Sequence, residues 1–272
     1  MLNRIDEQRS LDQGIQDAPP HTPTDVCSFA GMSQQPSTLT PRSTGPYVPD
    51  QREALFNEGA VGEITEVQRS KSEVTSIKGI MLDLDPHLIN PDFLPTTSTN
   101  TQFAQYVKRL CQNHPTLDKA EIRMTGSGVH VLLWPDTPIV LNSTADQDRW
   151  DGVIKTIQGC LPTDPAQPGI TACTRPVGSI NSKNGALVQR ATEGKKVTEK
   201  ELLDLADQMI EEPVKTFCLI VFGSDSISPC PICSAKESKF TAYKHVGKCY
   251  ECKSINLQKL LGKLYASEGG QR

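Results

Sequence analysis

IMLDLDPHL, residues 80–88, places two aspartates one residue apart at the end of an apolar run. The period of two predicts a strand with Ile80, Leu82 and Leu84 on one face and Asp83 and Asp85 on the other. Residues i and i+2 of a strand lie about 6.5 Å apart on one face. Because like charges at that spacing repel each other unless cations bind between them, the two aspartates predict a site for divalent metal ions.

The composition changes along the chain. Residues 1–46 are rich in Pro, Ser, Thr, Gln and Asp and are predicted to be a disordered N-terminal segment. Strand and helix patterns are mixed over 47–215, which predicts a core of the α+β (α/β) class. A cysteine-containing stretch, 216–272, is expected to form a separate small module with a C-terminal helix.

Secondary structure is predicted most clearly in five segments between residues 101 and 212. A capping box of Thr198 and Glu201 begins one of the helices, which Pro213 is expected to end. Asn184-Gly185 predicts a tight hairpin turn. The five segments are strands at 121–125 and 129–134 and helices at 101–113, 145–160 and 198–212.

Charge and apolar content limit the classes of protein. The net charge of −4 gives no global sign of a nucleic-acid partner, but from Val214 onward nine Lys and Arg face four Asp and Glu. The first residues, MLNRIDEQRS, have no apolar h-region, so we expect no secretory signal, and the longest strongly apolar run, Phe217–Phe222, is too short to span a bilayer. We therefore expect a cytoplasmic protein without membrane contact, whose nine cysteines serve as metal ligands rather than disulfides.

Four of the cysteines form two Cys-x-x-Cys pairs near the C-terminus. CPIC (Cys230, Cys233) and CYEC (Cys249, Cys252) are separated by fifteen residues. That spacing predicts a closed, tetrahedral zinc site in a zinc-ribbon-like module, with a structural role for the metal. The surrounding lysines are either a solvated surface or a grip on nucleic acid, and we favour the second: Lys236, Lys239, Lys244, Lys248 and Lys253.

Two more stretches contain residues suited to binding phosphates. MTGSGVHVLLW (124–134) places Ser127 in a glycine turn and His130 on the next strand, on the face opposite Val129 and Val131. The stretch from Thr163 to Gly185 supplies Asp164 and then two cations, Arg175 and Lys183, on either side of Gly178-Ser179. A guanidinium fork and a point charge together suit a triphosphate.

In this order, the stretches resemble the archaeo-eukaryotic primase superfamily, in its primase-polymerase branch from phages, plasmids and other mobile elements. That family carries an Asp-x-Asp strand, a Ser-x-His strand, a third acidic residue and an Arg…Gly-Ser-x-Asn-x-Lys segment. The resemblance covers roughly residues 78–190, and a zinc-binding module is a common companion in primases. The matching positions are Asp83, Asp85, Asp164, Arg175, Gly178, Ser179, Asn181 and Lys183, and Ser127 and His130 form a Ser-Gly-x-His version whose spacing is one residue longer.

The resemblance implies a primase-type core, a small α/β unit beside an RNA-recognition-like sheet, with the active site between them. It implies the synthesis of primers from nucleoside triphosphates on single-stranded DNA, with a replicative helicase as a candidate partner. Asp83, Asp85 and Asp164 would hold two Mg²⁺ or Mn²⁺ ions. The incoming nucleotide would be bound by six side chains: Ser127, His130, Arg175, Ser179, Asn181 and Lys183.

Other interpretations remain open. The chain could be a non-catalytic DNA-binding replication or initiator protein that uses the zinc module to hold DNA. A metal-dependent phosphatase or nuclease is a third interpretation, because Asp-x-Asp also occurs in phosphatases. The third carboxylate is open as well: Asp164 lies in a Pro-rich stretch, and Asp136 and Asp146 are the alternatives.

Overall fold

The computed structural model describes residues 50–59, 61–90, 93, 99–234 and 237–265, which all fall in one compact unit. The predicted disordered segment, 1–46, lies outside the described residues. Within them the chain is a mixed α and β protein with several antiparallel sheets, in agreement with the predicted class. No helix in these ranges is both long enough and apolar enough to cross a bilayer.

The described helices and strands alternate along the chain. The helices are α1 (Asn100–Gln112), α2 (Thr144–Gln158), α3 (Glu199–Glu211), α4 (Pro213–Phe222) and α5 (Leu257–Leu264). The strands are β1 (Arg52–Ala54), β2 (Val61–Gly62), β3 (Ser76–Ile77), β4 (Ile80–Leu84), β5 (Glu121–Met124), β6 (Val129–Pro135), β7 (Ile139–Val140), β8 (Cys173–Thr174), β9 (Gln189–Thr192), β10 (Lys196–Val197), β11 (Ser226–Ile227), β12 (Phe240–Ala242), β13 (Gly247–Cys249) and β14 (Lys253–Ile255).

Strand β6 organises the main sheet. It pairs antiparallel with β4 and with β5, and β9 extends the sheet beyond β5. The short β10 runs parallel to the last residues of β6. In this register Asp83 of β4 lies directly opposite His130 of β6. The sheet therefore places two predicted site residues side by side.

Both faces of β4 are covered. Ile80, Leu82 and Leu84 point into the main hydrophobic core, as the alternation predicts. On the other face, Met81 is buried in a small cluster with Leu132. Asp83 lies on the Met81 face and is half-buried, so the chain places a charged group at the edge of a packed surface.

The three predicted helices have bounds within two residues of the prediction. Helices α1 and α2 pack on the main sheet, and α3 packs on α2. Thr99 and Gln102 form a capping box at the start of α1, and Thr198 and Glu201 form the predicted one at the start of α3. Their apolar stripes complete the main core, and its members include Phe103, Ile154 and Leu205.

Helix α4 was not predicted from the sequence. Pro213 does follow the end of α3, but it is also the first residue of α4, a position where proline is tolerated because its missing N–H has no helical partner. Gly223 ends α4 in the left-handed conformation. The expected boundary between 215 and 216 falls inside this helix, and the division of the chain there stays a prediction.

The C-terminal part is a four-stranded antiparallel sheet, β11-β12-β13-β14, followed by α5. Phe240, Ile255 and Leu260 form a second core with residues of α4, including Phe217. Gly247 is required on β13, because a Cβ there would collide with the Phe240 ring.

The end of α5 contacts the segment that follows the aspartate pair. The N–H of Asn90 donates to the carbonyl oxygen of Leu264 at 2.7 Å, and Ile89 and Tyr265 form an isolated antiparallel bridge. The Tyr265 hydroxyl donates to the carbonyl oxygen of Thr163 at 2.8 Å. One residue therefore contacts both loops that carry the predicted acidic residues 85 and 164.

Candidate functional site

The four predicted cysteines, called here the cysteine cluster, converge at one point. Cys230 precedes a turn, Cys249 ends β13, and Cys252 lies in the turn before β14. The Sγ atoms of Cys230, Cys233, Cys249 and Cys252 all lie within 4.8 Å of one another. Two antiparallel hairpins bring the Cys-x-x-Cys pairs together, so local strand pairing is enough to form the cluster.

The spacing of the sulfur atoms fits a tetrahedral ion. Cys230 Sγ and Cys252 Sγ are 3.9 Å apart, and Cys233 Sγ and Cys249 Sγ are 3.8 Å apart. A Zn–S bond of about 2.3 Å gives tetrahedral S···S edges of about 3.8 Å. The cluster can therefore bind a metal such as zinc.

Backbone N–H groups contact the sulfur atoms of the cluster and favour the thiolate form at Cys249. The N–H of Ile232 points at Cys230 Sγ with a separation of 3.5 Å. The backbone N–H of Cys252 is the main reason that the pKa of Cys249 falls to about 7. A thiolate is the form that binds metal, so this end of the cluster loses its proton most readily.

Two of the predicted acidic residues lie close to Asp83 in the chain or through the backbone. The N–H of Asp164 donates to the backbone carbonyl oxygen of Asp83 at 2.8 Å, which ties the 164 loop to the end of β4. Asp85 follows two residues later. Asp83, Asp85 and Asp164, with the cleft that Asp83 lines, are called here the aspartate cleft.

The electrostatics of Asp83 reflect these neighbours. Its pKa is raised from 3.8 to about 6, first by burial and then by the charges of Asp164 and Asp85. Arg175 and Lys183 act in the opposite direction. All five predicted charged residues are therefore close enough to interact, although they come from four separate segments of the chain.

The three carboxylates do not form a closed ligand set. Among the described residues, the cysteine cluster is the one group of three or more His, Cys, Asp and Glu whose ligand atoms all lie within 4.8 Å. Asp85 Oδ1 accepts a hydrogen bond from the N–H of His87, and Asp164 Oδ1 accepts one from the N–H of Ala166. The donor atoms are the hard oxygens that Mg²⁺ and Mn²⁺ prefer, in an open arrangement.

The alternative third acids, Asp136 and Asp146, make other contacts. Asp136 follows His130 by six residues, which puts it roughly 20 Å further along the strand direction, and its carboxylate accepts from the N–H of Thr137. Asp146 lies in the first turn of α2, and its carboxylate accepts a hydrogen bond from the N–H of Asn142. The acid that contacts the Asp83 backbone is Asp164.

His130 is buried beside Asp83. Its Nε2 lies 3.6 Å from Asp83 Oδ1, and its Nδ1 is hydrogen-bonded to Thr174 Oγ1 at 2.8 Å. Burial is the main cause that lowers its pKa to about 3, with further contributions from Arg175 and Arg123. His130 is therefore neutral at pH 7 and can act as a hydrogen-bonding group rather than as a cation.

A polar cleft of about 150 Å³ lies next to Asp83 and His130. Arg175 and Lys183 line it, as predicted, but so do Arg52 and Arg69, which the sequence analysis did not identify. The full lining is Arg52, Arg69, Met81, Asp83, His130, Pro168, Cys173, Arg175 and Lys183.

An acidic residue orients the arginines of the cleft. Arg175 Nε is 3.2 Å from Asp50 Oδ1, and Arg52 Nη2 is 2.9 Å from Asp50 Oδ2. Burial opposes the ionisation of Asp50, but the two arginines outweigh it and lower its pKa. Arg52 and Asp50 lie outside every motif, and nothing in the local sequence points to them.

Two of the predicted nucleotide-binding residues hold loops together. The Ser179 hydroxyl donates to the carbonyl oxygen of Pro176 at 2.7 Å, and Asn181 Nδ2 donates to that of Thr125 at 2.5 Å. Both side chains are buried, whereas Ser127 is exposed in the glycine turn. The contacts predicted between these three residues and a nucleotide stay predictions.

A buried ion-pair network around Arg123 lies next to the site. Arg123 lies opposite His130 in the sheet and donates to Glu121 at 2.6 Å, to Glu53 at 2.8 Å and to the carbonyl oxygen of Arg175 at 3.0 Å. It therefore fixes the backbone of a cation of the cleft. A single arginine in a four-residue strand gives no sequence signal for this role.

Comparisons with known proteins give little. No family model and no curated protein match the chain. A solved structure that does match is the AEP domain of the cyanophage S-2L primase-polymerase (PrimPol), at 13% sequence identity and a TM-score of 0.37, covering 57% of this chain and 86% of that one. A likeness at this level supports no conclusion about the fold or function of the chain.

Proposed function

We propose that the protein is a nucleotidyltransferase that makes oligonucleotide primers on single-stranded DNA, a DNA primase or primase-polymerase. The observation that carries the proposal is the electrostatic environment of Asp83. Burial raises its pKa most, the charges of Asp164 and Asp85 raise it further, and Arg175 and Lys183 lower it. Acids that bind metal beside cations that bind phosphate are what phosphoryl transfer from a triphosphate requires.

Asp83, Asp85 and Asp164 would hold the divalent ions. When bound, Mg²⁺ or Mn²⁺ would promote loss of the proton from the attacking hydroxyl and neutralise the leaving pyrophosphate. The pKa of Asp83 is raised first by burial and then by the charges of Asp164 and Asp85, and a divalent cation bound at the three carboxylates would offset their repulsion. The hydrogen bonds from His87 and Ala166 would orient one oxygen each of Asp85 and Asp164.

The cations of the cleft would bind the triphosphate. Arg175 is held from both sides, by Asp50 at its guanidinium and by Arg123 at its carbonyl oxygen, so its position costs little to fix on binding. Lys183 is exposed at a loop and would add a point charge. Arg52 and Arg69 line the same cleft and would extend the anion-binding surface.

His130 would bind as a neutral donor. If the Thr174 hydroxyl donates to Nδ1, the imidazole proton is on Nε2, which points toward Asp83. From there it can donate a hydrogen bond to a phosphate oxygen without adding charge. The zinc that we assign to the cysteine cluster would have a structural role, since four thiolates leave no open position.

The test is primer synthesis on a single-stranded DNA template with labelled nucleotides and Mn²⁺ or Mg²⁺, with the products separated by length. The wild type is expected to make oligonucleotides. Asp83→Asn/Asp85→Asn is expected to abolish synthesis while DNA binding persists. Asp136→Asn is the matched control, because this exposed acid follows the neighbouring strand, β6, and lies far from the cleft.

A second candidate is a non-catalytic DNA-binding replication protein. The open arrangement of the carboxylates and the engagement of Arg175 by Asp50 favour it. If neither the wild type nor the variant makes oligonucleotides although both bind DNA, this candidate replaces the first. Turnover of a phosphoester without template or nucleoside triphosphates would instead support a phosphatase or nuclease.

A further inference from the structure

Two tyrosines project from the C-terminal sheet into solvent. Tyr250 is 81% exposed and Tyr243 is 51% exposed, and both belong to turns that follow strands of this sheet. Neither ring is part of the second core. Large exposed aromatic side chains are costly in water, so two on one small sheet indicate a surface that contacts a partner.

Each tyrosine has a lysine ammonium over its ring. Lys248 Nζ is 5.4 Å from the ring centroid of Tyr243, and Lys253 Nζ is 5.2 Å from that of Tyr250. A cation at this distance is attracted to the ring quadrupole and occupies one side of it. The opposite face of each ring can stack on a planar group such as a nucleic-acid base, and the lysine provides a positive charge next to that group.

The sheet sets the spacing of these pairs. Tyr243 follows β12 and Tyr250 follows β13, and because the two strands are antiparallel the rings lie at opposite ends of the hairpin. Strands of this length separate the ends by roughly 13 Å. Lys248 lies between them, with Thr241 and Ser254 opposite it on the neighbouring strands.

The charge of the surroundings fits an anionic partner. The described residues 237–265 carry six lysines and two glutamates. Lys244 is occupied by an ion pair with Glu212 at 3.2 Å, whereas Lys248 and Lys253 are the ones held over the rings. Positive charge interleaved with exposed aromatic rings is the surface that single-stranded nucleic acids bind.

We infer that this tyrosine–lysine face, defined as Tyr243, Lys248, Tyr250 and Lys253, binds single-stranded DNA. The tyrosines stack on bases, and the lysines pair with phosphates. Duplex DNA is excluded from this mode because its bases are already stacked and do not present their faces. The identification of the strand as a template rests on the proposed function, but the binding itself requires neither triphosphate nor catalytic metal.

The experiment measures the affinity of the zinc-loaded full chain for a fluorescent oligothymidylate by anisotropy. Tyr243→Leu/Tyr250→Leu keeps apolar bulk but removes the rings, and its affinity is expected to fall about tenfold or more. Tyr243→Phe/Tyr250→Phe keeps the rings and is the matched control, with affinity close to wild type. Zinc content and thermal unfolding of each variant establish that the sheet is intact.

An abasic oligonucleotide of the same length separates stacking from charge. The wild type and the Leu variant are expected to bind it equally, because it has phosphates but no bases. Equal affinity of the two proteins for oligothymidylate would overturn the inference. The proposed function fails separately: if the wild type makes no primers but the Leu variant still loses binding, the face is a DNA-binding surface on a protein of another activity.

Discussion

The cysteine cluster and the aspartate cleft are both candidate metal sites, but they are assembled in different ways. The cysteine cluster takes its ligands from a span of 23 residues, from 230 to 252, and closes to within 4.8 Å through local hairpins. The aspartate cleft takes its acids from the end of β4 and from a loop about eighty residues later. Its carboxylates interact through their charges but stay open.

The difference explains the division of roles. A closed set of four soft ligands leaves no room for substrate and suits a metal that holds a fold together. An open set of hard oxygen ligands beside cations leaves positions for a triphosphate and a hydroxyl. The two regions meet at Tyr265, whose hydroxyl holds Thr163 and whose backbone bridges to Ile89.

Removal of a cysteine ligand is expected to have the largest effect. Cys249→Ser should lose the bound metal and unfold the C-terminal sheet, because structural zinc contributes on the order of 10 kcal/mol to modules this small. Zinc content and thermal unfolding are the measurements. Cys173→Ser, outside the cluster, should keep full zinc content, and equal zinc loss in both variants would show that the cluster is not the site.

The same variant also tests the function of the module. In primer assays Cys249→Ser should impair initiation more than the extension of a preformed primer, because extension starts from a strand that is already in place. An equal loss of initiation and extension would indicate that the module only supports folding.

The next largest effect is expected at Asp164. Asp164→Asn should lower the rate of nucleotide addition about 100-fold or more, since the loss of a metal ligand removes several kcal/mol of transition-state stabilisation. Asp136→Asn and Asp146→Asn should stay near the wild-type rate. A large loss of rate in one of these two variants, with Asp164→Asn active, would identify that residue as the third carboxylate in place of Asp164.

The raised pKa of Asp83 predicts a change of stability with pH. Between pH 3.8 and about 6 the folded protein binds more protons than the unfolded chain, so the metal-free fold loses stability as the pH rises through 6. Asp83→Asn should therefore melt higher than wild type at pH 8 without metal, and the difference should vanish near pH 4.

Mn²⁺ should reverse the order of the melting temperatures of the wild type and Asp83→Asn. Added at pH 8, the ion should raise the melting temperature of the wild type and leave Asp83→Asn unchanged, because only ionised carboxylates bind it. A wild type that melts higher than the variant without metal at pH 8 would show that the fold does not disfavour the ionised Asp83 carboxylate.

The smallest effect is expected where the two regions meet. Tyr265→Phe removes the donor to the Thr163 carbonyl oxygen and should cost about 1 kcal/mol of stability. If this contact positions the 164 loop, primer synthesis should also fall by a few fold with zinc content unchanged. A loss of zinc in Tyr265→Phe would instead place its effect in the C-terminal module.

Local signals made much of the fold predictable. The alternation at 80–85, the capping box of Thr198 and Glu201 and the Cys-x-x-Cys spacing each depend on residues a few positions apart. Strand periodicity also predicted correctly that His130 faces away from Val129 and Val131. Helix α4 was missed because its apolar residues contact two cores and show no simple stripe.

The rest of the site depends on long-range contacts. Arg52 and Arg69 reach the cleft from segments without a motif, and the pairing of β1 with β8 brings Arg52 near Arg175, where Asp50 contacts both. Ser179 and Asn181 match the motif by spacing, yet their side chains are committed to backbone carbonyls. Sequence spacing gives residue type and order, but not the partner that a side chain finds.

Direct measurement of Mn²⁺ binding tests the acidic metal site most sharply. Manganese bound to the zinc-loaded protein at pH 8 can be counted by electron paramagnetic resonance in the wild type, Asp83→Asn, Asp164→Asn and Asp136→Asn. A site shared by residues 83, 85 and 164 predicts binding in the wild type and Asp136→Asn, and its loss in the other two. Equal binding by all four proteins, or by none, would contradict it.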